Sequence, residues 1–203
     1  MADVVRIDGV SKDPMARLAE RQRWITPGMQ TGLQQAISST VDKLGGEGLR
    51  KALHGDWLHE PLHAVLTDVP VGAWTAIVAL DAAGALSDCR QLEKAADAAL
   101  IVGLVGAVGA AVTGMNDWSQ VQKPAPRRIG MVHAMLNIAA TGLFVASGVA
   151  RTRKARGAGR SLAAIGYVIV AASAHLGGNL VYEHGVGVAP EAGEGLVSRD
   201  VRG

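Results

Sequence analysis

The stretch IGMVHAMLNIAATGLFVASGVA, Ile129 to Ala150, runs 22 residues with His133 as the only group that titrates near neutral pH. A bilayer's hydrocarbon core of roughly 30 Å needs about 20 apolar residues of helix, so this segment is long enough to cross it. It is apolar on all sides rather than along one stripe, a pattern that lipid or a deep core accepts and the surface helix of a soluble domain does not. Ser161 to Tyr182 repeats the pattern over 22 residues with only His175, and Ala98 to Asn116 over 19 with no such group. Leu62 to Ser87 is a weaker fourth segment because it holds His63, Asp68 and Asp81. An aspartate in mid-membrane costs about 2.5–3.5 kcal/mol on insertion scales. The fold class that follows is all-α: a four-helix transmembrane bundle with spans near 62–87, 98–116, 129–150 and 161–182.

Composition agrees with this reading and excludes several others. The 203 residues are 49% hydrophobic with a mean hydropathy of +0.21, and the 26 glycines would each weaken a soluble helix by about 1 kcal/mol. In lipid they let helices approach: Gly103, Ala107 and Ala111 form one small-residue row on the second span, and Gly106, Ala110 and Gly114 another. Trp57, Trp118 and Tyr182 fall at span ends on one side, as an interfacial belt would have them. A net charge of +2 with no basic stripe gives no ground for a nucleic-acid partner. No Walker loop, dinucleotide fingerprint or zinc-knuckle spacing occurs. The single cysteine, Cys89, excludes an internal disulfide. The first strongly apolar run begins only near residue 62, so no cleavable signal sequence is expected, and the length leaves no room for a separate enzyme domain.

Residues 1–61 read as an N-terminal helical and amphipathic extension. A short helix is expected around Met15 to Trp24, between Pro14 and Pro27. From Gln30 to Leu44, Leu33, Ile37, Val41 and Leu44 recur at helical spacing opposite polar positions, which predicts an amphipathic helix. It lies on the membrane surface or packs against the loops of the bundle. The transmembrane domain occupies 62–184, and 185–203, rich in Gly, Glu and Pro, reads as a flexible tail.

Threading four spans in alternating directions puts the start of the first and third and the end of the second and fourth on one side. That side then holds His54, His59, Glu60, His63, Asp68, Asn116, Asp117, Trp118, His133, Asn137, His175, Asn179, Tyr182 and His184, which include all six histidines. His133 with Asn137, and His175 with Asn179, are spaced to share one helical face. Ionisable groups within spans face a bundle interior or a water-filled cavity and mark a functional site by default. Three readings suit them. Imidazoles from two helices, His133 with His63 or His175, can ligate a haem iron, with Asn or Asp groups fixing the second ring nitrogen. His63, His133 and His175, with Asp68 or Glu60, can hold a transition-metal ion or handle protons. The same residues, Asp68, Asn137 and Asn179 included, also serve as interhelical hydrogen-bond glue, at about 0.6 kcal/mol per contact. His54, His59 and His184 read as solvated surface residues, Trp74 and Phe144 as packing or lipid-facing ones. Asp81 carries no assigned function and is expected to meet a basic group of the opposite face, which holds Asp88, Arg90, Glu93, Lys94, Asp97, Arg151, Arg153, Lys154, Arg156 and Arg160.

The stretch HEPLHAVLTDVPVGAW, His59 to Trp74, resembles the bacterial transmembrane family catalogued as domain of unknown function 2231, with its His-Pro-Leu-His, Thr-Asp and Pro-x-Gly-Ala-Trp signature. The likeness continues in Leu53-His54-Gly55, Trp57-Leu58, Thr113-Gly114, Asp117-Trp118, Gly130, His133, Gly177-Gly178 and Leu180-Val181-Tyr182, and covers roughly residues 45 to 188. Glu60 departs from it, standing where the family pattern has its first histidine. The resemblance implies a four-span membrane domain without an established biochemical role. Some relatives look fused to a Rieske iron–sulfur domain, which this chain lacks, and that association implies a redox or iron–sulfur partner.

The acid-free run Arg151 to Arg160 places its loop in the cytoplasm by the positive-inside rule, with the histidine face outside. The expectation is a multi-pass protein of a bacterial cytoplasmic membrane, not a stand-alone enzyme, that carries a haem b or metal-ion site for electron transfer. The competing readings are a non-catalytic scaffold or accessory subunit, which can self-associate, and a small proton or metal conduit.

Overall fold

The computed structural model describes residue 11, residues 13–87 and residues 89–187. The expected tail beyond residue 187, the first ten residues and Asp88 lie outside the described part. Seven α-helices and no strand make up the described residues: α1 (Pro14–Glu20), α2 (Pro27–Leu44), α3 (Gly46–His54), α4 (Leu62–Ser87), α5 (Arg90–Ser119), α6 (Pro124–Thr152) and α7 (Arg156–Tyr182). The last four are each long and apolar enough to cross a membrane. α4 coincides with the expected 62–87, and the other three exceed their expected spans, most of all at the charged end of α5, because hydropathy marks only the stretch that lipid requires. Backbone hydrogen bonding carries the helix on into the headgroup layer and beyond.

The four long helices pack as two antiparallel hairpins, α4 on α5 and α6 on α7, with α4 also against α7 and α5 against α6. Glycines permit the closeness. A Cβ at Gly106 would stand 2.9 Å from Pro70 Cδ, and one at Gly109 3.4 Å from Leu66 Cδ1. The expected Gly106, Ala110, Gly114 row therefore faces α4, whereas the other row breaks at Ala111, which is exposed. Pro70 sits inside α4 and is buried against that glycine surface. The core centres on Trp74 stacked on Phe144, ring centroids 4.2 Å apart and 8° from parallel, with Ile77, Leu100, Ala140, Ala163 and Val170 around them.

The N-terminal helices cap the histidine end. α1 starts at Pro14, where the Asp13 carboxylate accepts from the amides of Met15 and Ala16 at 2.7 and 3.4 Å. α2 starts likewise, with the Thr26 hydroxyl accepting from Met29 N at 3.2 Å. α3 was not anticipated, because Gly45, Gly46 and Gly48 conceal a short helix. It ends on Gly55 at φ 103°, where a Cβ would also stand 2.7 Å from Leu62 N. Both the conformation and the close approach require glycine. α2 packs on the ends of α5 and α6 by the face that holds Gln30, Gln34 and Val41, and the Gln34 amide donates to Trp118 O at 2.9 Å and Val121 O at 3.0 Å. Leu33 and Leu44 of the expected apolar stripe, with Met29, point away from the bundle and are exposed. The helix thus packs on the bundle's end and leaves these apolar side chains exposed. Of the expected aromatic belt, Trp57 and Tyr182 are exposed. Trp118 turns inward against Gly130 and donates Nε1–H to Arg127 O at 2.8 Å.

Candidate functional site

His63 lies one residue into α4, and its ring rests on Gly114 of α5, where a Cβ would meet Cε1 at 2.7 Å. Its Nδ1–H donates to the Ala110 carbonyl at 2.8 Å. A carbonyl only accepts, so Nδ1 carries a proton, and in the neutral ring the lone pair is on Nε2. His133 repeats this on the other hairpin: Nδ1–H donates to Ser173 O of α7 at 2.8 Å, and the ring rests on Gly177. The Ser173 hydroxyl lies 3.0 Å from that nitrogen and donates to His133 O at 3.1 Å. Asn137, one turn along, donates Nδ2–H to His133 Nε2 at 3.0 Å. Both ring nitrogens of His133 are therefore engaged in its neutral form. The two imidazoles meet edge to face, centroids 6.5 Å apart and 89° between planes. His63, His133 and Asn137 are thus brought together.

His175, Asn179 and Asp68 are not part of that group. His175 is exposed and pairs through Nε2 with Asp13, the cap of α1. Asn179 is buried and donates to Ser11 Oγ at 3.2 Å, and Ser11 donates to Glu183 at 2.6 Å. These residues hold the N-terminal segment against the end of α7. Burial works to raise the Asp13 pKa, but the Met15 and Ala16 amides and His175 outweigh it, and the carboxyl stays below its ordinary range. Asp68 faces outward, exposed and without a hydrogen bond or ion pair among the described residues. The α-helical period explains the separation: His63 and Asp68 are five residues apart, about 140° around the axis. Among the described residues no three His, Cys, Asp or Glu side chains come together as a group that could hold a metal ion, so the expected set of His63, His133 and His175 with Asp68 or Glu60 does not assemble.

Two further contacts were not read from the sequence. His54, expected to be solvated, bonds the buried carboxylate of Asp117 through Nδ1 at 2.9 Å, while Asn116 Nδ2 donates to Arg50 O at 3.3 Å. These fasten α3 to the end of α5. His59 and Glu60 are exposed. His184 is half-buried, and burial pushes its pKa down, against the pull of Glu183 and Glu20 and with that of Lys123.

The opposite end of the bundle holds a charge cluster built around one buried ion pair. Asp81 meets a basic group as expected: Arg151 grips it through both terminal guanidinium nitrogens, Nη1 to Oδ1 at 3.0 Å, with side-chain exposures of 3% and 7%. Arg151 also donates to Asp97 at 3.1 Å and to Ser147 Oγ at 3.1 Å. Arg156 pairs with Asp97 at 2.6 Å and with Glu93 at 3.3 Å, and Arg160 with Glu93 at 3.0 Å. Three carboxylates thus meet three guanidiniums, and Arg151, Arg156 and Arg160 of the basic run are engaged in ion pairs. The signal in the sequence was three acids at the ends of the first two spans and three arginines at the ends of the last two.

The family model described as a predicted membrane protein, DUF2231, matches residues 59–190. No curated protein and no solved structure matches the chain.

Proposed function

The chain belongs to the DUF2231 family of predicted membrane proteins, and on that premise we propose that it works as a non-catalytic multi-pass scaffold or accessory subunit. In this reading the polar layer is interhelical glue. The observation that carries it is the engagement of both His133 ring nitrogens, by Ser173 O and by Asn137. His63, His175 and Asn179 support it, since each bonds a neighbouring helix or the N-terminal segment. Buried imidazoles used this way strengthen packing where lipid offers no hydrophobic drive between helices. The N-terminal cap, with its outward Trp24, Met29, Leu33 and Trp57, is the surface offered to the interface and to a partner. We place the histidine face outside a bacterial cytoplasmic membrane and the Arg151–Arg160 end inside.

A second reading, a haem or metal site for electron transfer with an iron–sulfur partner, is favoured by one observation. His63 holds Nδ1 on a carbonyl, the arrangement that leaves Nε2 open to a metal, and its ring lies 6.5 Å from that of His133. One experiment separates the two. Detergent-purified protein is examined by reduced-minus-oxidised absorption and elemental analysis, beside His133→Ala and His63→Ala. The scaffold reading expects lowered thermal stability in the variants and no spectral or metal difference. A Soret band or a stoichiometric metal that disappears in both variants refutes it.

A further inference from the structure

We propose that α4–α5 and α6–α7 are two copies of one ancestral helical hairpin, related by a pseudo-two-fold axis along the membrane normal, and that each hairpin's inner surface is built to receive the other. Residues of α4 correspond to residues of α6 seventy positions later, and those of α5 to residues of α7 sixty-three later. His63 and His133 are then counterparts. They make the same bond, to the carbonyls of the counterparts Ala110 and Ser173, and both rings rest on the counterpart glycines Gly114 and Gly177. Eleven residues further along, Trp74 and Phe144 are counterparts and rest on the counterpart glycines Gly103 and Gly166.

The contacts give the axis directly. In a two-fold arrangement, counterparts that touch each other must lie beside the axis. His63 touches His133, Trp74 stacks on Phe144, and Asp81 pairs with Arg151. These three counterpart pairs lie in order down the centre of the bundle. The remaining packing agrees, α4 lying against α7 as α6 lies against α5. Every residue from 62 to 80 is buried, half-buried or exposed in the same way as its counterpart in 132–150. Asn116 and Asn179 are counterparts as well, and each donates its amide to the N-terminal region, to Arg50 O and Ser11 Oγ. Sequence retains a trace: His-Ala-x-Leu, then Gly, an aromatic and Ala at matching intervals in 63–76 and 133–146. Both hairpins enter from the same side, so this is a parallel repeat, with its axis along the membrane normal.

The halves differ where pairing needs a sign. Asp81, Glu93 and Asp97 on the first hairpin are the counterparts of Arg151, Arg156 and Arg160 on the second, and the two trios bind each other. Two first hairpins would face acid to acid and two second hairpins Arg to Arg, so the split makes each the other's partner and disfavours self-pairing. The halves also differ at Asp68, His175 and Asp117, whose counterparts are Ile138, Val112 and Leu180. Two of these hold the N-terminal cap, through Asp13 and His54.

Two experiments on the full chain test the proposal. In a Cys89→Ser background, Leu100→Cys with Gly148→Cys joins α5 to α6 at a contact already present, Leu100 Cδ2 lying 3.2 Å from the site of a Gly148 Cβ. The counterpart pair is Ala163→Cys with Val78→Cys, joining α7 to α4. Duplication expects both pairs to oxidise, at rates within about threefold, since their Cβ atoms would be similarly spaced. Closure of either pair without the other overturns it. The second experiment exchanges the trios, with Asp81→Arg, Glu93→Arg, Asp97→Arg, Arg151→Asp, Arg156→Glu and Arg160→Asp together. The exchanged chain should melt within about 5 °C of the original, and the three arginine substitutions alone should cost upwards of about 10 °C. An exchanged chain as unstable as the one-sided variant refutes the two-fold relation.

Discussion

Replacing Arg151 with methionine takes from the buried Asp81 carboxylate both of the guanidinium contacts that neutralise it. Breaking a buried pair by removing one partner costs about 3–5 kcal/mol, because the other charge is left without compensation. Two features of the site move the figure to the lower end. Arg156 Nη1 and Arg160 Nε each lie 3.9 Å from Asp81 Oδ1 and still screen it, and methionine keeps much of the arginine stem's packing. The loss of donors to Asp97 and Ser147 adds to the cost, so about 3 kcal/mol is expected overall. Asp81→Leu alone should cost a similar amount by leaving Arg151 partly unpaired. The double variant should cost under about 1.5 kcal/mol, since an apolar pair needs no solvation, which leaves a coupling of about 4.5 kcal/mol or more. The cycle is measured by reversible unfolding in mixed detergent micelles. A coupling below about 0.5 kcal/mol, the level of independent sites, would show that the cluster is solvated and refute its role as the lock between hairpins.

Three further outcomes follow from the geometry. Gly114→Val places a side chain on the His63 ring, where a Cβ alone meets Cε1 at 2.7 Å, and should cost about 1–3 kcal/mol by overpacking, read as a lowered unfolding midpoint; an unchanged midpoint would show that the ring has room to leave. Asp68→Asn should stay within about 0.5 kcal/mol of the original in the same assay, since the carboxylate is exposed and has no partner among the described residues; a large loss would reveal a structural contact. The Asp13 cap has a pKa below its unfolded value, so its stabilising effect is complete above that value, about 3.9, and is lost as pH falls through the folded one. Hydrogen exchange of the α1 amides, corrected for the intrinsic rate, should quicken below about pH 4, and Asp13→Asn should remove that dependence; identical profiles for the two chains would contradict the cap's role.

The polar layer was legible in part. His133 and Asn137 share a face at i, i+4 spacing, and the structure joins them. His175 and Asn179 share the same spacing, yet their face turns to Ser11 and Asp13. Spacing fixes which residues are neighbours on one helix but not how the helix is rotated about its axis. That rotation is set by close packing, here by Gly166 on Phe144 and Gly177 on His133. The same limit explains Asp68, which shares the depth of the histidines and points the other way.

Residue chemistry by itself settled that four helices are long and apolar enough to cross a membrane, because a 30 Å hydrocarbon layer demands a length and composition that no other environment imposes. It settled the family signature and the side on which the histidines gather. Tertiary structure alone decided that four of the six histidines divide between a central pair and the fastening of the N-terminal cap, that Asp81 meets Arg151 across the bundle, and that residues 62–80 and 132–150 share one burial pattern. The reason is physical: hydropathy and period act along one helix, whereas partner choice depends on rotation and register between helices. Those are fixed by the fit of Trp74, Phe144 and the two histidine rings into four glycine surfaces.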